Sequence, residues 1–206
     1  LPDATVLVDV PGDGQQALSM VDVYIVTFTP LVAGLVGGIA GLFLVRATSD
    51  ADGRLVIAGY RAREVVLARI GLVVAVGLAV TAVAVATTSL VVVSPANLPA
   101  FAGATLLGAL VWGLLGVLAG LVLDRLAGVY LVLFGTMIDM FLFQNPLVAD
   151  RAAVAPLLPG YAPVRAAVDA GFSSSVDLAT FGVGLGVLAI LGVLATGAFY
   201  RSTRPA

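Results

Sequence analysis

Asp139 is the only ionisable residue set well inside any of the long apolar stretches of this 206-residue chain. A carboxylate in hydrocarbon is costly, so it must face the protein interior or water. Two chemistries are open to it. Thr27, Thr29, Thr87 and Thr88 fall at similar depths in their own stretches, and with Asp139 they could line an outward-facing cavity for an amphipathic substrate. Alternatively, Asp139 bonds a neighbouring hydroxyl, and the threonines bond the backbone of their own helices. In the first case Asp139 could also serve as a proton or sodium site for transport driven by an ion gradient.

Composition removes most other chemistry. The chain has no Cys and no His, so it offers no thiol and no imidazole ligand for haem, zinc or copper. Every basic residue is Arg, and a Walker A loop needs Lys to reach its phosphates. ATP hydrolysis by this chain is therefore not expected, nor is any cofactor. The glycine-rich run GVGLGV at 182–187 lies inside an apolar segment with no preceding strand, so it does not read as a phosphate loop. A net charge of −2 gives no footprint for nucleic acid.

The elements that must position these residues are transmembrane helices. The chain is 61% hydrophobic and 11% charged, against about 25% charged in a soluble domain. Five stretches of roughly 20 residues are long enough to cross a bilayer: 21–45, 65–93, 101–123, 126–143 and 178–200. Backbone groups in hydrocarbon must be satisfied within their own segment, so these are helices. The expected fold is a single all-α polytopic bundle over residues 1–206.

Arginine placement orients it. With residues 46–64 cytoplasmic, the inside holds Arg46, Arg54, Arg61, Arg63, Arg69, Arg125, Arg201 and Arg204, and the outside only Arg151 and Arg165. Positive charge accumulates on the cytoplasmic side, so a multi-pass protein of the cell membrane with a cytoplasmic C-terminus is expected. Residues 1–20 have no basic n-region and no apolar h-region, so they do not form a signal peptide. An outside N-terminus then predicts one further span upstream.

Three connections carry information. The external stretch 144–177 is interrupted by Pro146, Pro156, Pro159 and Pro163. Its parts 150–157 and 163–170 read as short helices at, or dipping into, the outer interface. The link 94–100 is too short for a domain. Glycines four apart (Gly34 and Gly38, Gly37 and Gly41, Gly116 and Gly120, Gly182 and Gly186) allow close helix approach. They read as contacts within one subunit, between subunits, or as chance in a glycine-rich chain.

The third connection, 46–64, contains SDADGRLVIAGYRARE. Asp50 or Asp52 can cap a short helix, Leu55, Val56, Ile57 and Tyr60 give it apolar surface, and Gly59 can end it. Arg61, Arg63 and Glu64 lead into the next span. Such a helix could enter a groove on a cytoplasmic partner or rest among lipid headgroups.

The order of apolar span, acidic-and-glycine turn, GRLVIAGYRAREVVLAR and a second span resembles the permease subunits of type-2 ABC transporters. The stretch AVAPLLPGYAPVRAAVDAGF before the last span is similar to that family's external re-entrant element. The resemblance covers nearly the whole chain but lacks the family's first span. Gly59-Tyr60 stands where many members have Thr-Pro, and Arg69 where Lys is frequent. The resemblance implies an exporter permease with a separate ABC ATPase subunit and a second permease. Leu55, Ile57, Tyr60, Arg61, Arg63 and Glu64 then form the coupling helix that docks on the ATPase. A gradient-driven transporter using Asp139 and a non-transport membrane anchor are the alternatives.

Overall fold

The computed structural model describes the backbone of residues 4–10, 13–57, 62–92, 94–148 and 152–202. It contains five helices long and apolar enough to span a bilayer: Met20–Arg46, Leu67–Leu90, Leu98–Val122, Arg125–Phe143 and Leu178–Ala198. The chain is an all-α polytopic bundle, and its spans fall where hydropathy predicts them.

An antiparallel hairpin precedes the bundle and was not expected from the sequence. Strands β1 (Thr5–Val10) and β2 (Gly14–Ser19) pair with Thr5 opposite Ser19 and Val10 opposite Gly14. Gly14 takes a positive φ of 75° at the turn. Period-2 alternation gives the hairpin two faces. Val8 and Val10 are buried in the main apolar cluster, whereas Leu7 is exposed. The Met20 N–H donates to the Ala4 carbonyl, so the hairpin leads directly into the first helix.

Helix α1 (Met20–Ile57) continues well past its span. The separate short helix expected in 46–64 therefore does not begin before Ile57. The backbone runs through Asp50 and Asp52 as an extension of α1. A helix already nucleated by its span propagates at one hydrogen bond per residue.

Helix α2 (Ala62–Thr87) widens into π-helical turns at Thr88–Val92. Helix α3 (Leu98–Val122) is the central element, with 67% of its span window buried. Asn97 caps it by accepting from the Ala100 N–H. Asp124 makes the break before α4 (Arg125–Thr136), where its carboxylate accepts from the Ala127 N–H at 2.8 Å. This span finishes in π-helical turns at Met137–Phe143. Helices α5 (Tyr161–Phe172) and α6 (Leu178–Ser202) complete the chain.

The α1–α3 crossing explains most of the glycine pattern. A β-carbon at Gly37 would collide with the Ala109 carbonyl, one at Gly41 with the Gly113 carbonyl, and one at Gly116 with the Gly38 carbonyl. These helices touch backbone to backbone, which in lipid substitutes van der Waals contact for a hydrophobic driving force. Gly182 and Gly186 of α6 take no part in such a contact: nothing lies within 4 Å of a β-carbon at either.

The stretch 144–177 holds a 3-10 turn at Ala155–Leu157 and the longer helix α5. Residues 150 and 151 of the first expected helix lie outside the described residues. Helix α5 is buried on almost every residue, against α3, α6 and α1. Its C-terminal end is at the bundle surface, where the Ala96 and Asn97 N–H groups donate to the Gly171 and Ala170 carbonyls. Its N-terminal end is deep: a β-carbon at Gly108 would meet Pro163, and one at Gly184 would meet Ala162. Gly108 is ten residues into α3, about 15 Å at 1.5 Å per residue. Helix α5 is thus packed into the bundle along its length.

Candidate functional site

The first N–H groups of a helix have no partner within it, and α5 starts in the interior, with Gly160 and Ala162 both buried. Asp139 answers this need. The π-helical turns carry its carboxylate inward, with the Gln144 N–H donating to the Asp139 carbonyl at 3.1 Å, five residues apart. Asp139 is 5% exposed. Its Oδ2 accepts from the Gly160 N–H at 2.6 Å and its Oδ1 from Gln144 Nε2 at 3.3 Å. Gln144 Nε2 also donates to the Ala155 carbonyl at 2.9 Å. One side-chain pair thus fastens the 3-10 turn and the start of α5 to the end of the fourth span. An anionic or dipolar acceptor is favoured at a helix N-terminus.

The fit requires glycine. A β-carbon at residue 160 would lie 2.7 Å from Asp139 Oδ2 and 2.6 Å from Met140 Cγ. Asp139 does bond within the protein, but its partners are a backbone amide and Gln144, not a hydroxyl.

The threonines form a separate site. Thr29, Thr87 and Thr88 line a groove of about 610 Å³ between α1 and α2, whose walls are otherwise aliphatic apart from Phe28. Asp139 and Thr27 are not among its lining residues. Thr27 is buried and donates to the Val23 carbonyl at 2.8 Å. Thr29 donates to the Ile25 carbonyl at 2.8 Å, and its oxygen lies 2.7 Å from that of Thr88. Thr87 donates to the Val83 carbonyl at 2.8 Å. The Phe28 ring lies 5.3 Å from that of Phe141 and 6.2 Å from that of Tyr24, tilted by 40° and 44°, an aromatic row beside the groove. The five residues read as one polar cavity are therefore divided between a structural cap and a groove, with Thr27 in neither.

A second buried carboxylate had no signal in the sequence. Asp169 of α5 is 1% exposed; its Oδ2 accepts from the Asp177 N–H at 2.9 Å, and its Oδ1 has no protein partner. Burial pushes its carboxyl up from the ordinary range; nearby Asp177 and Asp13 add to this, while the Asp177 N–H and Arg165 oppose it. Asp177 caps α6, accepting from the Thr180 hydroxyl at 2.6 Å and the Ala179 N–H at 3.0 Å. The Thr180 hydroxyl holds the Asp177 carboxyl below the usual range. The cap was legible as Asp177 three residues before Thr180.

Of the expected coupling residues, Tyr60 and Arg61 lie outside the described residues, as do the side chains of Leu55, Ile57 and Arg63. Glu64 is exposed in the first turn of α2. No protein family, curated protein or solved structure matches the chain.

Proposed function

We propose that this chain is the membrane-spanning permease subunit of an ATP-binding-cassette exporter, working with a separate ATPase subunit and a second permease. The observation that carries the reading is the extension of α1 from Arg46 to Ile57, beyond its span. It projects about 16 Å of helix past the bilayer, on the side opposite the hairpin and α5. A lever rigidly continuous with a span can pass the movement of a soluble subunit to the bundle. Residues 52–63 dock on the ATPase in this reading, with Leu55, Ile57 and Tyr60 as the apolar anchors and Arg61, Arg63 and Glu64 around them. Anchors of this kind dominate interface energy, and rim charges contribute less. The arginine asymmetry supports a cytoplasmic location for this end and for the C-terminus.

The test is co-purification of an ATPase with the tagged chain from native membranes. Replacing Leu55, Ile57 and Tyr60 together by Ala is expected to remove the ATPase while the bundle stays folded. Undiminished assembly would overturn the proposal.

A further inference from the structure

We propose that the groove between α1 and α2 holds one acyl chain of a membrane phospholipid from the leaflet on the hairpin side. This goes beyond the exporter reading and does not rest on it. Both walls are membrane spans, and the groove is continuous with the exposed apolar surface of α2, where Leu78, Val83 and Leu90 face outward. Its mouth therefore opens to the bilayer, and its occupant must be apolar.

The depth of the groove selects the occupant. On α2 it runs from Thr88, near the end of the span Leu67–Leu90, to Ala79 at the middle of that span. That is about 14 Å at 1.5 Å per residue, against about 15 Å for one leaflet of a bilayer core. On α1 it runs from Ile25 to Val36, again from near one end of the span to just past its middle.

Polarity is graded along the same axis. The hydroxyls of Thr29, Thr87 and Thr88 lie toward the surface end, whereas Val36, Ala79 and Val80 close the midplane end. A phospholipid chain has the same gradient, with its ester at the interface and its methyl at the midplane. All three hydroxyls already have hydrogen-bond partners within the protein. The site therefore recognises the chain and not the headgroup. A second, wholly apolar hollow of about 300 Å³ lies in the other half of the α1–α2 seam and has no polar end.

The experiment uses the full chain in nanodiscs of dioleoylphosphatidylcholine. These are doped with a phosphatidylcholine carrying a diazirine either beside the ester or at the methyl end of one chain. After photolysis, adducts are mapped by mass spectrometry. Val183 and Ile190, exposed on α6 toward the hairpin-side end and near the middle of its span, report ordinary annular lipid at the two depths. The methyl-end probe is expected to label Val36 and Ala79, and the ester-side probe Phe28 and Thr87. Each should exceed the α6 positions by about tenfold, the ratio for 1.4 kcal/mol of preference. Replacing Ala79 and Ala84 by Phe fills the groove and should bring its labelling down to the α6 level. Phosphatidylglycerol carrying the same probes should label the groove equally.

Labelling no greater than on α6, a reversed depth order, or labelling that survives the filled groove would each overturn the proposal. So would a disulfide between two copies of Val83→Cys with no groove adducts, because a second chain would then be the occupant. The excess of groove labelling over the α6 positions in the unsubstituted protein decides the matter if the filled variant does not fold.

Discussion

Asp139 and Gly160 should behave as one unit. In Asp139→Ala the Gly160 N–H, 2.6 Å from Oδ2 in the intact protein, loses its acceptor at a buried position. A buried donor left unsatisfied costs about 1–3 kcal/mol. Gln144 keeps its bond to the Ala155 carbonyl, so its loss is minor. A cost of about 2 kcal/mol lowers Tm by about 4–8 °C in a chain of this size. Gly160→Ala drives a β-carbon into Asp139 Oδ2 and Met140 Cγ, and overpacking costs about 1–3 kcal/mol. In the double variant the carboxylate is absent, and only the flexible Met140 must move. The two losses should then sum to about 1–2 kcal/mol less than their separate values, well outside the usual additivity error. Asp139→Asn keeps an acceptor for Gly160 and should cost under about 1 kcal/mol. Thermal unfolding of the four proteins of the cycle, and of Asp139→Asn beside them, in one detergent makes the test. Strict additivity, or Asn as damaging as Ala, would refute the cap.

The α1–α3 contact predicts a sharp contrast among glycines. Gly116→Ala meets the Gly38 carbonyl and should cost about 3 kcal/mol, since backbone cannot yield as a side chain does. Gly186→Ala meets nothing within 4 Å and should gain about 0.5–1 kcal/mol from helix propensity; paired thermal melts separate the two. Asp169 predicts a pH dependence. Its carboxyl is raised in the fold, so its stabilising contribution is complete below the unfolded value of about 4 and is lost as pH rises through the folded value. Asp177 runs the other way: its carboxyl is lowered, and its contribution is lost as pH falls below about 4. Melts from acid to neutral pH should show Asp169→Asn with a shallower decline on the rising side than the parent.

The hairpin was within reach of the sequence. Val6, Val8 and Val10 alternate with Thr5, Leu7 and Asp9, and Pro11-Gly12-Asp13-Gly14 follows them, a strand-and-turn signature. The extension of α1 was obscured by residues that stop helices in isolation. Asp50, Asp52 and Gly53 look like a start signal, yet a helix arriving from a span is past its nucleation cost.

The sequence by itself determined that the chain spans a membrane and where its five spans lie. That information is one-dimensional: a run of about 20 uncharged residues can satisfy its backbone in hydrocarbon only as a helix. It also determined that Asp139 needs an interior partner, because an intramembrane carboxylate must have one. Which partner was a matter for the tertiary structure alone. Gly160 is 21 residues away in sequence, and α5 has a composition that suits an interface and an interior equally. Only its burial between α1, α3 and α6 takes its N-terminus down to the carboxylate. The same holds for Thr29 and Thr88, which are 59 residues apart. Depth along a span can be counted in the sequence, but the face a residue presents depends on how the helices pack. That is why one expected polar cavity became a helix cap on one side of the bundle and a groove on another.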